Sequence, residues 1–162
     1  MRNVAAAASE LVVSANGDFE AALAARLGAR FVADTTPNSG PLGGLLSALP
    51  ALSTRRVFVV AGDAPFVDLA LIERLQRERR DGDEAVVPAH GSGDRRRIEP
   101  LAALYERDAL LREGRAAFAQ ARRALQDVLP RLRVRYIEFD PAEHPFANLN
   151  TPADYADFRR RL

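Results

Sequence analysis

The sequence contains one run, Val57-Phe58-Val59-Val60-Ala61, that is apolar at every position and rich in β-branched residues. Such a run is typical of a strand with both faces buried, as in a parallel sheet. The run stops at Gly62-Asp63, and Pro65 follows. Open α/β sheets bind their ligands beyond the carboxyl ends of the strands. The run therefore predicts an α/β sheet with Asp63 at the edge where a ligand would bind.

Strand and helix patterns alternate over the first half of the chain, which predicts a mostly parallel sheet. Strands are predicted at 11–14, 31–33, 57–61 and 85–88, and helices at 19–27, 41–49 and 69–80. The second half predicts an extended segment at 101–105, helices at 108–115 and 116–132, a strand at 134–139 and a last helix from Thr151. We expect an antiparallel strand from this half to join the sheet, within a single domain over residues 1–162.

The composition excludes several classes of protein. A formal net charge of +1 argues against a dedicated nucleic-acid or membrane-surface binder. No apolar run approaches the ~20 residues of a membrane span. The chain has no cysteine, which fits a cytoplasmic location. All 23 basic residues are arginine, so no lysine ammonium in this chain can take part in its chemistry.

Polar residues follow three predicted strands in turn, each beside glycine or proline. They are Asn16, Asp34 and Asp63. The carboxyl ends of parallel strands lie at one edge, so these residues predict a ligand cleft there. A carboxylate suits a hard cation such as Mg²⁺ that also carries substrate phosphates. If Asp63 is a metal ligand, the chain handles phosphates; otherwise Asp63 only ends a strand.

Two further segments allow more than one interpretation. The first is Gly40-Pro41-Leu42-Gly43-Gly44, whose glycines let the backbone approach a ligand closely. The helix that starts there offers free N–H groups to an anion. Alternatively, the same glycines could serve only the packing of the helix. The second contains Asn148 and Asn150, which lie two positions apart, so in an extended segment both side chains face the same way. Two amides on one face suit recognition of the edge of a heterocycle, and they could alternatively cap a loop. Arg122 could reach an anionic acceptor or lie on the surface, and His90 is interpreted as isolated.

Five segments in this order resemble the molybdenum cofactor guanylyltransferase family, also called molybdopterin-guanine dinucleotide biosynthesis protein A. The resemblance runs from about residue 10 to the C-terminus. It is carried by Ser14-Ala15-Asn16, Asp34 with Gly40-Pro41-Leu42-Gly43-Gly44, Gly62-Asp63-Ala64-Pro65-Phe66, Pro100-Leu101-Ala102-Ala103-Leu104-Tyr105 and Asn148-Leu149-Asn150-Thr151-Pro152.

The resemblance implies a three-layer, Rossmann-like nucleotidyltransferase fold and transfer of GMP from GTP to the phosphate of molybdopterin. It implies that Asn16, Asp34 and Gly43 contact the nucleotide, and that Asp63 binds Mg²⁺ and the nucleotide as the catalytic residue. Asn148, Asn150 and Arg122 would lie near the acceptor. GTP and molybdopterin are the implied substrates, and proteins that mature molybdoenzymes are the implied partners.

The sequence departs from the family pattern at its beginning. Family members start with a strand and a Gly-rich loop that ends in a lysine, whereas residues 1–9 resemble the end of the first helix that follows that loop. We expect the first strand of the family to be missing between the strands at 11–14 and 57–61. A chain of this kind would be marginally stable or would oligomerise. The resemblance also implies weak activity without the loop.

Two other functions are also compatible with the sequence. The first is cytidylyl transfer to the same acceptor, or nucleotidyl transfer to a related one. The second is a non-catalytic protein that retains only binding of the pterin cofactor. Formation of a dinucleotide from GTP would exclude the second.

Overall fold

The computed structural model of the chain describes residues 8–36, 39–65, 67–140, 142, 146, 148–149 and 151–160, and these residues form two β-sheets. The smaller sheet has two parallel strands, β1 (Val12–Ala15) and β2 (Arg30–Ala33). Helix α1 (Asp18–Arg26) connects them. Gly28, two residues after α1, has a φ of 66°, which is the left-handed conformation in which glycine commonly ends a helix.

The larger sheet combines parallel and antiparallel strands. Its members are β3 (Arg56–Val60), β4 (Ala85–His90), β5 (Arg97–Ile98), β6 (Ala102–Glu106) and β7 (Val134–Phe139). Strand β6 lies between β3 and β4 and runs antiparallel to both. Strand β7 pairs parallel with β4. This arrangement confirms the predicted α/β sheet and the antiparallel strand that the second half contributes.

Four more helices pack against these sheets: α2 (Gly40–Ala48), α3 (Leu69–Glu78), α4 (Arg107–Ala119) and α5 (Pro152–Arg159). Three of them begin at side-chain caps, and at the start of α4 the Glu106 carboxylate accepts a hydrogen bond of 2.7 Å from the Ala109 N–H. The Asp68 carboxylate accepts a hydrogen bond of 2.9 Å from the Leu71 N–H at the start of α3. Thr151 and Asp154 exchange side-chain-to-backbone hydrogen bonds at the start of α5, which is a capping box.

The prediction of a helix over 116–132 is wrong. Helix α4 ends at Ala119, and Ala121 has a φ of 60°, which the α-helix does not allow. Two short 3₁₀ turns follow, at Leu125–Asp127 and Leu129–Arg131. The apolar spacing of the segment remains, since Leu125, Val128 and Leu129 are buried, but the chain reaches the core by turns.

The core consists of two apolar clusters on opposite faces of the larger sheet. Val57 and Val59 belong to one cluster, whereas Phe58 packs against the other. Strand β4 divides in the same way, with Val87 in the first cluster and Val86 in the second. This alternation confirms that the strand at 57–61 is covered on both faces.

The smaller sheet lies outside both clusters. None of the described residues of β1 or β2 belongs to either of them, and the β1 side chains are only half-buried. Helix α2 packs against β1 and β2 as well as against α4. The Glu10 carboxylate, just before β1, accepts a hydrogen bond of 2.9 Å from the Ser53 N–H, close to the start of β3.

Strands β1 and β3 are not paired with each other. In the described part of the chain, β1 pairs with β2 and β3 pairs with β6. This arrangement agrees with the expectation for these two strands, while marginal stability stays a prediction. Residues 1–7, which belong to the segment predicted to be the end of a helix, lie outside the described residues. Within the described ranges, no helix has the length and apolar character needed to cross a membrane.

Candidate functional site

The polar residues predicted at the ends of β1 and β2 contact each other. The Asn16 side-chain amide donates a hydrogen bond of 3.0 Å to Asp34 Oδ2. The Ser14 hydroxyl donates to Asp34 Oδ1 at 2.5 Å and also lies 2.9 Å from the carbonyl oxygen of Gly44. Protein donors thus hold both oxygens of Asp34, so its carboxylate has a fixed orientation at the sheet edge.

The two glycines in the middle of α2 face different surroundings. A Cβ on Gly44 would lie 3.1 Å from Asp34 Oδ1, so this glycine permits the close approach of α2 to the Asn16–Asp34 pair. A Cβ on Gly43 would lie 1.8 Å from the Ser39 hydroxyl, and Gly43 is buried. The geometry gives Gly43 a packing reason, and its predicted contact with a nucleotide stays a prediction.

The start of α2 offers fewer free donors than its sequence indicated. Pro41 has no N–H group, and the Leu42 N–H donates a hydrogen bond of 3.2 Å to the carbonyl oxygen of Arg123. The backbone after α4 therefore occupies a donor that we expected to be available to an anion.

Asp63 follows β3 and has an unpaired side chain. Its backbone carbonyl accepts a hydrogen bond of 2.8 Å from the Leu149 N–H, but its carboxylate makes no hydrogen bond or ion pair with any described residue. The described residues contain no group of three His, Cys, Asp or Glu side chains that could hold a metal ion. A divalent cation at Asp63 fits only as one shared between this carboxylate and phosphate oxygens, which is common for Mg²⁺.

A cavity of about 190 Å³ opens beside Asp63. Residues on either side of Asp63, Ala61 and Ala64, form part of its wall. The remaining wall comes from the start of α2, the residues before α3, the segment at the start of β6, the first 3₁₀ turn and the segment before α5: Pro41, Val67, Glu99, Pro100, Leu101, Ala102, Ala124, Leu125, Gln126, Phe146 and Asn148. The cavity is smaller than the ~300–1,000 Å³ of typical ligand pockets, so it suits one ring system.

The three residues predicted near an acceptor have different positions. Asn148 lies on the cavity wall, close to Asp63 through the backbone hydrogen bond of Leu149. Asn150 lies outside the described residues. Arg122 is exposed, two residues before the cavity residue Ala124, and its guanidinium lies 3.8 Å from the Asp127 carboxylate.

The structure adds a pair that the sequence interpretation missed. The ring of His90 lies 2.8 Å from Glu99 Oε1 and stacks on Phe146, with the ring centroids 5.2 Å apart. The interpretation of His90 as isolated is wrong, because pairing of β4 with β5 brings these distant residues together. His90 ends a buried strand, so the rule that selected Asp63 could have found it.

A buried tyrosine fixes the wall next to Glu99. The Tyr105 hydroxyl donates a hydrogen bond of 2.8 Å to the carbonyl oxygen of Pro100. Burial, with a smaller contribution from Tyr136, raises the pKa of Tyr105 far above its ordinary value. The phenol therefore stays neutral and remains a donor that holds Pro100 against the cavity.

The sequence is similar to several proteins of known family. Residues 1–136 match the model of the MobA-like NTP transferase domain. The chain is 35% identical over 134 residues to a "Probable molybdenum cofactor guanylyltransferase" of Chloroflexus aggregans, covering 79% of this chain and 63% of that protein. It is 33% identical to the molybdenum cofactor guanylyltransferase of Mesorhizobium japonicum, covering 94% of this chain and 75% of that protein.

Solved structures agree with these sequence matches. Molybdopterin-guanine dinucleotide biosynthesis protein A from Archaeoglobus fulgidus superposes with a TM-score of 0.72 at 28% identity, over 93% of this chain and 79% of that one. The 2-C-methyl-D-erythritol 4-phosphate cytidylyltransferase of Thermus thermophilus has the same TM-score of 0.72 at 19% identity, over 98% and 86% of the chains, which shows the fold alone.

These matches cover most of this chain but a smaller share of the length of some relatives. The chain spans 57% to 65% of the length of four curated relatives. The family model nevertheless covers more than half of the chain, and it includes β1 to β6 with Asn16, Asp34 and Asp63. The chain therefore belongs to the MobA-like NTP transferase domain family.

Proposed function

We propose that this chain carries out transfer of GMP from GTP to the phosphate of molybdopterin, forming a guanine dinucleotide cofactor and pyrophosphate. The observation that carries the proposal is the carboxylate of Asp63, which has no partner among the described residues and lies after β3, beside a cavity, in a chain of this family. Relatives named molybdenum cofactor guanylyltransferase support the choice of guanine and of the acceptor. Proteins that mature molybdoenzymes would receive the product.

The residues divide into a nucleotide side and an acceptor side. Asn16 and Asp34, held together at the ends of β1 and β2, would contact the guanine nucleotide, with the Gly43 backbone nearby. Asn148, Asn150 and Arg122 would contact the acceptor. Helix α2 runs between the two sides, because Gly44 adjoins Asp34 while Pro41 lies on the cavity wall.

The reaction needs positioning more than covalent chemistry from the protein. An oxygen of the acceptor phosphate attacks the α-phosphorus of GTP, a new P–O bond forms, and the bond to the β-phosphate breaks with its electron pair leaving on pyrophosphate. Asp63 would hold Mg²⁺, which when bound neutralises charge on the phosphate oxygens. Asn148 would keep the acceptor beside Asp63, since the two adjoin the same cavity.

The test incubates the purified protein with molybdopterin, Mg²⁺ and either GTP or CTP, and follows pyrophosphate release and the dinucleotide product by mass spectrometry. We expect release that requires the acceptor and Mg²⁺ and that is faster with GTP. A faster reaction with CTP would replace guanylyl by cytidylyl transfer. Binding of molybdopterin without product from either nucleotide would favour the non-catalytic binding protein.

A further inference from the structure

The wall of the cavity beside Asp63 is apolar except at a few positions. Among the described residues that line it, Glu99, Gln126 and Asn148 have polar side chains, and none is arginine. A cavity without arginine is poorly suited to a phosphate group, although the chain has 23 arginines. A carboxylate and two amides suit the N–H groups and oxygens of a flat ring.

Glu99 is the charged group among the described residues of this wall, and His90 fixes its geometry. His90 Nε2 lies 2.8 Å from Glu99 Oε1, and an ionised carboxylate can only accept, so the histidine donates. The second oxygen, Oε2, accepts no hydrogen bond from any residue in the described part of the chain. The Glu99 side chain is 30% exposed, whereas that of His90 is 17% exposed.

Phe146 connects this pair to an aromatic wall. Its ring stacks on His90 at an interplanar angle of 17° and meets the edge of Phe139 at a centroid distance of 5.7 Å. Phe146 itself lines the cavity, but His90 does not. His90 therefore supports two wall residues at once, Glu99 by a hydrogen bond and Phe146 by stacking.

We propose that Glu99, positioned by His90, is a specificity-determining residue that recognises a ring edge with two adjacent N–H donors. The chemical class is the 2-amino-4-oxopyrimidine edge, where an amino group lies beside a ring N–H. A carboxylate offers two acceptors to these two donors, whereas an amide offers only one. The inference rests on the proposed function, in which both the pterin of the acceptor and the guanine of GTP carry this edge.

The test compares two fluorescent rings that differ at one position. The probes are 2-amino-4-oxopteridine, which presents two donors, and 2,4-dioxopteridine, which presents one donor and one acceptor. We expect the unaltered protein to bind the amino ring more tightly. Glu99→Gln should weaken binding of the amino ring by about 10- to 100-fold and strengthen that of the dioxo ring, because an amide matches an acceptor beside a donor.

Two other variants separate this role from a structural one. His90→Phe keeps a ring against Phe146 but removes the donor, so we expect a smaller preference for the amino ring at an unchanged melting temperature. Glu73→Gln, on the exposed side of α3, is the matched control and should leave the preference unchanged. Competition of each ring by GTP and by XTP shows whether the pterin or the guanine edge occupies the cavity.

The outcomes are distinct from those of the proposed function. A reversed preference in Glu99→Gln supports the inference whether or not the protein makes a dinucleotide. Guanylyl transfer by a protein whose Glu99→Gln variant keeps the preference for the amino ring would overturn the inference alone. Failure of both rings to bind the unaltered protein would also overturn it.

Discussion

Asp63 and Asp34 are both carboxylates that follow strands, yet they differ in what surrounds them. Ser14 and Asn16 hold both oxygens of Asp34, whereas the Asp63 carboxylate has no partner among the described residues. A carboxylate already occupied by protein donors is less available to a cation. Of these two residues, Asp63 is therefore the better candidate for the proposed metal ligand.

The first prediction concerns that ligand. Asp63→Asn keeps the size of the side chain and removes its charge, so we expect Mg²⁺-dependent transfer to fall by at least ~100-fold, since changes outside the metal's own ligands already cost about 10–100-fold. The melting temperature should not fall, because the carboxylate holds no described neighbour. Asp81→Asn, in an exposed turn, is the matched control. Full activity of Asp63→Asn would remove this residue from the mechanism.

The second prediction concerns backbone strain after α4. Ala121 is the only described non-glycine residue with a positive φ, at 60°. That conformation costs an L-residue roughly 1–2 kcal/mol. Glycine avoids this cost, but its greater conformational entropy in the unfolded state offsets part of the gain in stability. Ala121→Gly should raise the free energy of unfolding by about 0.5–1 kcal/mol in urea titration. Ala119→Gly, at the last residue of α4, should lower it, and equal effects of both variants would contradict the strain.

At the scale of elements, an ion pair fastens β7 to the turn before β4. The Arg135 guanidinium in β7 donates to the Asp83 carboxylate at 2.6 Å, and the side chains are 24% and 13% exposed. Burial alone would raise the pKa of Asp83. The hydrogen bonds from Arg135 and the Arg80 N–H, with the charges of Arg135 and Arg79, outweigh it and hold that pKa below its usual 3.8.

The third prediction follows from the sign of that shift. A lowered pKa in the folded state stabilises the protein above about pH 4, and this contribution is lost as the pH falls through the folded-state pKa. Asp83→Asn should therefore lower the free energy of unfolding at pH 7 by roughly 1.5–3 kcal/mol, and by less near pH 3. Urea titration at both values is the measurement, with the exposed Asp94→Asn as control. A deficit at pH 3 as large as the deficit at pH 7 would refute the argument.

The elements predicted from sequence were those whose patterns depend on local chemistry. The strand that contains the run at 57–61 and the helix that begins after Thr151 are both present, because apolar runs and capping residues act within a few positions. The helix prediction for 116–132 was wrong because only its apolar spacing is helical. The positive φ of Ala121 turns the chain out of the helix, and the Arg123 carbonyl then accepts a hydrogen bond from the Leu42 N–H at the start of α2. No local pattern contains that contact.

The same division applies to the candidate site. Asn16 and Asp34 follow adjacent parallel strands, and strand ends are readable from sequence, so their contact could be expected. The His90–Glu99 pair depends on the short antiparallel pairing of β4 with β5, where His90 faces Arg97 in the register. The segment 89–97 is polar and rich in glycine and arginine, a composition that indicates a loop and no strand pairing.

The two sheets differ in how much apolar core covers them. Strands β3, β4 and β6 are covered by apolar clusters, whereas β1 and β2 contribute no described residue to them. In the part of the fold formed by β1, α1 and β2, Ala24 is the one buried apolar residue described. Elements with few buried contacts open at a lower free energy than the global one. The proposed nucleotide side therefore lies on the less stable part of the molecule.

The fourth prediction tests this inequality by hydrogen exchange. Amides of β1 and β2 should exchange faster than those of β3, β4 and β6 at neutral pH. Saturating GTP with Mg²⁺ should slow exchange at residues 12–16 and 30–34, because a ligand that binds the closed state stabilises it. Asn16→Ala removes an exposed hydrogen bond to Asp34 and should weaken that protection without changing β3. Uniform exchange across both sheets would contradict the unequal stability, whereas protection by GTP only at β4 and β7 would place the nucleotide away from Asn16 and Asp34.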